Sequence, residues 1–340
     1  MRLFRNFNIK TWTHAAAGVL SCAVLTTCGG SKGPGPGPAI DPPQIACPAD
    51  ITQREVPVAS VDVTYPAPTT TAGAPPVNVT CTPPSGSRFP LGTTTVACAA
   101  RDAQSREATC SFKVTLNGFT LGAKKFLAAG DSLTLGENGL PSFLDTPNSY
   151  PSRLSGQLTS LYPGQEITVV NRGIGGLLVE QLEEMLPGMV NAERPDAVLV
   201  MIGYNNLTTP CAPGRFNTTA CSGAGGAIDF TAVYTRDCIR RIKESPVGVK
   251  YIFVSTLVPP GPTGPKRIDR DAIVEVNRRV RIHIAAERAT LVESFPLFQG
   301  REAEFVSPDG LHLLPPGYQA VADAFFSAIR LTIPQTPQLR

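Results

Sequence analysis

From residue 124 onward, short apolar runs alternate with longer segments in which apolar residues recur every three or four positions. The runs at 125–129, 167–170, 197–202, 251–255 and 290–292 are short and apolar throughout, as strands covered on both faces are. Helical periodicity appears at 177–186, 229–243, 271–288 and 317–331. In the third of these, Ile273, Val276, Val280 and Ile284 share one face. Strands alternating with helices predict an α/β fold with a parallel sheet between helical layers, whose chemistry sits at the carboxyl ends of the strands.

The pattern upstream is different. Val61, Val63 and Tyr65 alternate with polar residues, as do Cys110, Phe112, Val114 and Leu116, and Pro66, Pro68, Pro75, Pro76, Pro83 and Pro84 exclude long helices. Residues 44–117 therefore predict a small all-β domain ahead of an α/β domain at 122–334. Residues 29–43 contain the run GPGPGP, a composition that builds no core and reads as an extended tether. Before it, Arg2, Arg5 and Lys10 precede an apolar stretch at 15–25 that is short for a membrane span, the pattern of an export signal occupying 1–28.

This changes how charge and cysteines are read. The chain has 30 basic and 27 acidic residues, and the three basic residues of the signal account for the whole excess. A nearly neutral mature chain gives no case for a nucleic-acid partner. Nine cysteines in an exported chain, without CxxC or a histidine cluster, point to disulfides rather than metal sites. Cys22 belongs to the signal. Cys47, Cys81, Cys98 and Cys110 of the β-domain allow two bridges in three connectivities. Cys211 and Cys221 bracket a loop and predict a bridge, whereas Cys238 shares a helical stripe with Tyr234 and Ile242 and reads as a buried free thiol.

Candidate chemistry lies at the strand ends. Gly130, Asp131, Ser132 and Leu133 close the first strand, and a serine hydroxyl becomes a useful nucleophile only when a neighbouring base takes its proton. Histidine is the usual base near neutral pH, and the chain has three. His14 lies in the signal and His283 at the border of a buried helical stripe, which leaves His312 as the base. Asp309, three residues before it, can turn a carboxylate towards the imidazole. The second strand runs into Asn171, Arg172, Gly173, Ile174, Gly175 and Gly176, where glycines allow close backbone approach to a ligand. A dinucleotide fingerprint fails there, because its third glycine would fall at Leu178. After the third strand, Asn205 offers a neutral amide donor suited to a developing oxyanion.

The blocks "GDSLTLG", "NRGIGG", "IGYNN" and "SPDGLHLLPPGYQAVADAF", with "SYPSRL" between the first two, resemble the SGNH hydrolases, or GDSL lipase/esterase family. The resemblance implies a three-layer α/β/α, flavodoxin-like domain and a carboxylic ester hydrolase needing no metal or cofactor. It implies Ser132 as nucleophile, His312 as base and Asp309 as its orienter, with Ser132, Gly176 and Asn205 forming the oxyanion hole. Asn206 stands where the family usually has aspartate, which bears on the support of the nearby loops. Small-molecule or carbohydrate esters are the expected substrates.

"PPQIACPADI", "CTPPSGSRFPLGTTTVACAARD" and "ATCSFKVTL" resemble the hyalin repeat (HYR) domain, an immunoglobulin-like sandwich, with a carbohydrate or protein ligand as its expected partner. Leu25, Thr26, Thr27 and Cys28 resemble a bacterial lipobox, implying acylation of Cys28 and a membrane anchor at the outer membrane. Thr27 replaces the usual Gly or Ala, so secretion without an anchor stays open. A second reading from another class is a surface adhesion protein that works through the HYR domain and carries an inactive hydrolase-like domain.

Overall fold

The computed structural model describes residues 39–54, 56–140 and 144–337. The export signal, His14, Cys22 and the lipobox with Cys28 lie outside the described residues.

The α/β domain is built on five parallel strands: β1 (Lys125–Gly130), β2 (Thr168–Gly173), β3 (Ala197–Met201), β4 (Tyr251–Ser255) and β5 (Thr290–Val292). Their spatial order is β2-β1-β3-β4-β5. This is the flavodoxin-like winding, in which the order reverses beside β1 and opens a crevice at the carboxyl ends. The helices that matter for the site are α1 (Ser132–Leu135), α2 (Tyr150–Leu161), α3 (Val179–Glu193), α4 (Ala227–Lys243), α5 (Arg270–Ala286) and α6 (Pro315–Thr332).

Strand side chains alternate between two buried layers. Phe126, Ala128, Leu199 and Met201 belong to the layer with Leu154 and Leu158 of α2 and Val321 and Phe325 of α6. Leu127, Ala129, Val198 and Val200 pack instead with Leu182 and Leu186 of α3, Ile239 and Ile242 of α4, and Val280 and Ile284 of α5. Apolar positions on both faces of β1 and β3 thus require helices on both sides of the sheet. The Tyr150 and Phe325 rings stack with centroids 5.0 Å apart and join α2 to α6.

Three local expectations need correction. Helix α2 was absent from the periodic segments because Pro151, Gly156 and several hydroxyl residues dilute it, yet Tyr150, Leu154, Leu158 and Leu161 form its buried stripe. Helix α3 outruns the periodic segment 177–186 and continues to Glu193 with Pro187 inside it. Proline removes one helical N–H bond, and here buried Leu182, Leu186 and Val190 keep the segment on one stripe across it. Strand β2 runs on to Gly173, three residues past its apolar run, because residues 171–173 pair with 128–130 of β1.

The N-terminal domain is all-β. Ile51–Gln53, Glu107–Leu116, Gly92–Arg101 and Asn78–Thr82 form a four-stranded sheet, while Gln44–Ala46 pairs with Thr69–Thr71 and Ser60–Asp62 with Arg88–Pro90. Tyr65 and Phe112 meet edge to face in its core, with centroids 4.9 Å apart. Of the three possible connectivities the structure has Cys47–Cys110 and Cys81–Cys98. The long hairpin turns at Asp102, whose carboxylate accepts from the backbone N–H groups of Ala74, Gln104 and Arg106 and pairs with the Arg106 guanidinium.

Candidate active site

The first three strands of the domain each lead into a residue singled out by the sequence: Ser132, Gly176 and Asn205. Strand β1 passes through Gly130 into Asp131, whose carboxylate caps α1 by accepting from the Leu133 N–H at 3.1 Å. A side chain at position 130 would put its Cβ 2.0 Å from the Met201 carbonyl oxygen, so only glycine lets β1 end this close to β3. Ser132 then opens α1 and is buried.

The far end of the chain meets it there. Ser132 Oγ lies 3.0 Å from His312 Nε2, and His312 Nδ1 lies 2.6 Å from Asp309 Oδ2. The other oxygen, Asp309 Oδ1, accepts from the backbone N–H groups of Leu311 and His312, both at 3.0 Å. Burial alone would raise the Asp309 carboxyl, but the His312 ring and those two N–H groups outweigh it and hold it well below the usual carboxylate range. Asp309 therefore stays ionised beside the imidazole at neutral pH.

The acid loop is braced by the 256–269 connection after β4. Lys266 donates its backbone N–H to the Asp309 carbonyl at 2.9 Å, Gly261 does the same to the Gly310 carbonyl at 3.1 Å, and the Lys266 ammonium lies 3.4 Å from Asp309 Oδ2. That connection is in turn fastened to the insertion after β3. The predicted Cys211–Cys221 bridge is present, and the Cys211 carbonyl accepts from the Asp269 N–H at 2.7 Å. Among the described residues, Cys238 on α4 is buried and makes no disulfide.

Gly176 adopts φ +74°, a conformation that favours glycine, and a Cβ there would meet nothing within 4 Å. The residue is thus glycine for its backbone shape. Asn205 donates one Nδ2–H to the Leu177 carbonyl at 3.0 Å, which ties the amide to the loop carrying Gly176 and leaves its second N–H to be used. Asn206, the departure from the family pattern, holds the start of α3: its Oδ1 accepts from the Val179 N–H at 2.9 Å and its Nδ2 donates to Glu180 at 2.8 Å. An aspartate would keep the first bond and forgo the second, so the loops stay supported.

His283 lies half-buried on α5, where burial and the nearby Arg236 lower its pKa. Two acidic residues near the nucleophile carry more than the sequence reading gave them. Asp131 is fully buried, and burial pushes its carboxyl up to about 7 against the Leu133 N–H, the pull of His312 and the Gly203 and Tyr204 N–H groups. Glu137, just past α1, places Oε2 3.3 Å from His312 Nε2. No periodicity marks a loop glutamate. Its only signal was its position five residues after Ser132.

This strand order, with a serine, histidine and carboxylate in hydrogen-bonded sequence at the switch point, defines a serine-hydrolase-type site on a flavodoxin-like sheet. The profile of the GDSL-like Lipase/Acylhydrolase family matches residues 128–320, and the chain belongs to that family. The HYR domain profile matches residues 38–116. Over 88 residues the chain is 36% identical to an acetylxylan esterase of Geobacillus stearothermophilus, covering 25% of this chain and 40% of that relative. Similar solved structures include an acetylxylan esterase from the same organism, at 25% identity and TM-score 0.46, covering 61% of this chain and 94% of that one. A lipase/acylhydrolase from Enterococcus faecalis is similar at 21% identity and TM-score 0.47, covering 62% and 97%.

Proposed function

We propose that the protein is a serine esterase that cleaves carboxylic esters through an acyl-enzyme on Ser132. The observation that carries this reading is the continuous chain from Ser132 Oγ through the His312 ring to Asp309 Oδ2, with links of 3.0 and 2.6 Å. His312 Nε2 takes the Ser132 proton as Oγ attacks the ester carbonyl, and Asp309 keeps the other ring proton on Nδ1. The Ser132 and Gly176 N–H groups and the Asn205 amide hold the oxyanion. His312 returns the proton to the leaving alkoxide, and water, deprotonated by the same nitrogen, then releases the acid and restores Ser132.

Asn205→Ala is expected to lose about 2.7 to 4 kcal/mol of transition-state stabilisation, mostly in kcat, since an oxyanion donor acts as charge develops. Steady-state kinetics on p-nitrophenyl acetate check this, and an unchanged kcat removes Asn205 from the oxyanion hole.

Short acyl esters and acetylated carbohydrate are the proposed substrates, the second supported by the acetylxylan esterase relative. The chain spans 40% of that relative's length, so its substrate is not carried over by similarity alone. The basic and apolar start of the chain supports export. Cys28 supports a lipid anchor at the bacterial outer membrane, with residues 29–43 as the tether and the HYR domain free to meet carbohydrate or protein. The hydrogen-bonded triad favours catalysis over the adhesion-only reading. A p-nitrophenyl acetate assay with and without Ser132→Ala separates the two: loss of the rate supports the esterase, and equal rates end it.

A further inference from the structure

We propose that Glu137 is a specificity-determining residue that accepts a hydrogen bond from a hydroxyl on the carbon next to the ester oxygen, selecting esters of vicinal diols such as partly acylated sugars. The inference rests on the esterase reading above and names the leaving group of that same site.

Three observations place the carboxylate. Its Oε2 lies 3.3 Å from His312 Nε2, the atom that must hand a proton to the leaving oxygen. Its Oε1 lies against the oxyanion loop, where a Cβ added to Gly175 would come within 2.3 Å of it. Its backbone is fixed on both sides, the N–H donating to the Ser132 carbonyl at 3.0 Å and the carbonyl accepting from the Tyr318 hydroxyl at 2.5 Å. The carboxylate therefore stands within reach of the nitrogen that protonates the departing alcohol.

It also wants a donor. The side chain is 9% exposed, and among the described residues its one polar partner is His312 Nε2. With the ring proton on Nδ1 facing Asp309, Nε2 offers a lone pair to Ser132, and a carboxylate gains nothing from a lone pair. No protein hydrogen bond is made to either carboxylate oxygen among the described residues, and neither oxygen is sealed from solvent, so Glu137 takes its hydrogen bond from water or from a bound hydroxyl that displaces it. A leaving oxygen within hydrogen-bond reach of Nε2 brings the hydroxyl on the adjacent carbon to the carboxylate, at the roughly 2.7 Å typical of charge-assisted O–H bonds. An ester without that hydroxyl leaves the acceptor to water, and an acidic leaving group is repelled.

The test compares 2-hydroxyethyl acetate with ethyl acetate, which share the acyl group and differ in the one hydroxyl. The quantity read is the ratio of kcat/KM for the two esters in wild type, Glu137→Ala and Glu137→Gln, so that any effect common to both esters through His312 cancels. The ratio is expected to fall about tenfold in Glu137→Ala, the size of a lost charge-assisted hydrogen bond, and by less in Glu137→Gln, which keeps one acceptor. A ratio unchanged in both variants overturns the proposal, even if both rates drop together. Should Glu137→Ala fail to fold by circular dichroism, the near-isosteric Glu137→Gln carries the test. Hydrolysis that survives Ser132→Ala would instead strike the esterase reading, so the two failures are distinguishable.

Discussion

Replacing Ser132 by alanine is expected to lower kcat for p-nitrophenyl acetate by about 10⁴- to 10⁶-fold while leaving the fold intact. The substitution removes one oxygen from a buried position whose backbone is held by α1 and by the close approach of β1 to β3. Without that oxygen, His312 has no hydroxyl to activate and no acyl-enzyme forms. The rate that remains comes from binding and from the oxyanion donors, which do not depend on Oγ. Thermal unfolding of the variant should match wild type, because Ser132 Oγ bonds only His312 among the described residues. A rate within tenfold of wild type would place the nucleophile elsewhere.

Asp309→Asn is expected to cost about 10³- to 10⁴-fold in kcat, a loss out of proportion to the single atom exchanged. The reason lies in the two backbone N–H groups on Oδ1. In the amide they hold the carbonyl oxygen in that position, which forces the NH₂ group to face His312 Nδ1. The imidazole must then offer Nδ1 as acceptor and carry its proton on Nε2, the tautomer that cannot accept from Ser132. The sign of the pH effect on stability follows from the depressed Asp309 carboxyl. Its contribution to folding is complete above the unfolded value near 4 and is lost as pH falls below it. The wild-type melting temperature should therefore drop more steeply than that of Asp309→Asn as the solution is acidified through that range, and parallel curves would contradict the assignment.

Much of the parallel sheet was legible because its strands are buried on both faces. Tyr251–Ser255 and Thr290–Val292 have the same limits in the chain's apolar pattern and in the structure. The misjudged elements are those where composition and packing disagree. Pro151 and Gly156 hide α2, and the buried stripe of α3 runs on past Pro187 through Val190, beyond the periodic segment 177–186. Ser132, Asp309 and His312 could be found because few residue types perform nucleophilic catalysis and the chain offers three histidines. Which cysteines of the β-domain join was beyond the sequence, since pairing depends on the register that sets Cys98 beside both Cys81 and Cys110. Glu137 escaped for a similar reason. Its meaning lies in the distance to His312, 175 positions along the chain, which no local pattern records.

Covalent trapping shows which residue is the nucleophile. The full chain would be treated with a fluorophosphonate ester, digested, and the adduct located by mass spectrometry. With Ser132 as nucleophile, a single adduct is expected on the peptide carrying Ser132, absent from Ser132→Ala and formed much more slowly in His312→Ala. An adduct on any other residue, or none in a preparation that hydrolyses esters, would contradict that assignment.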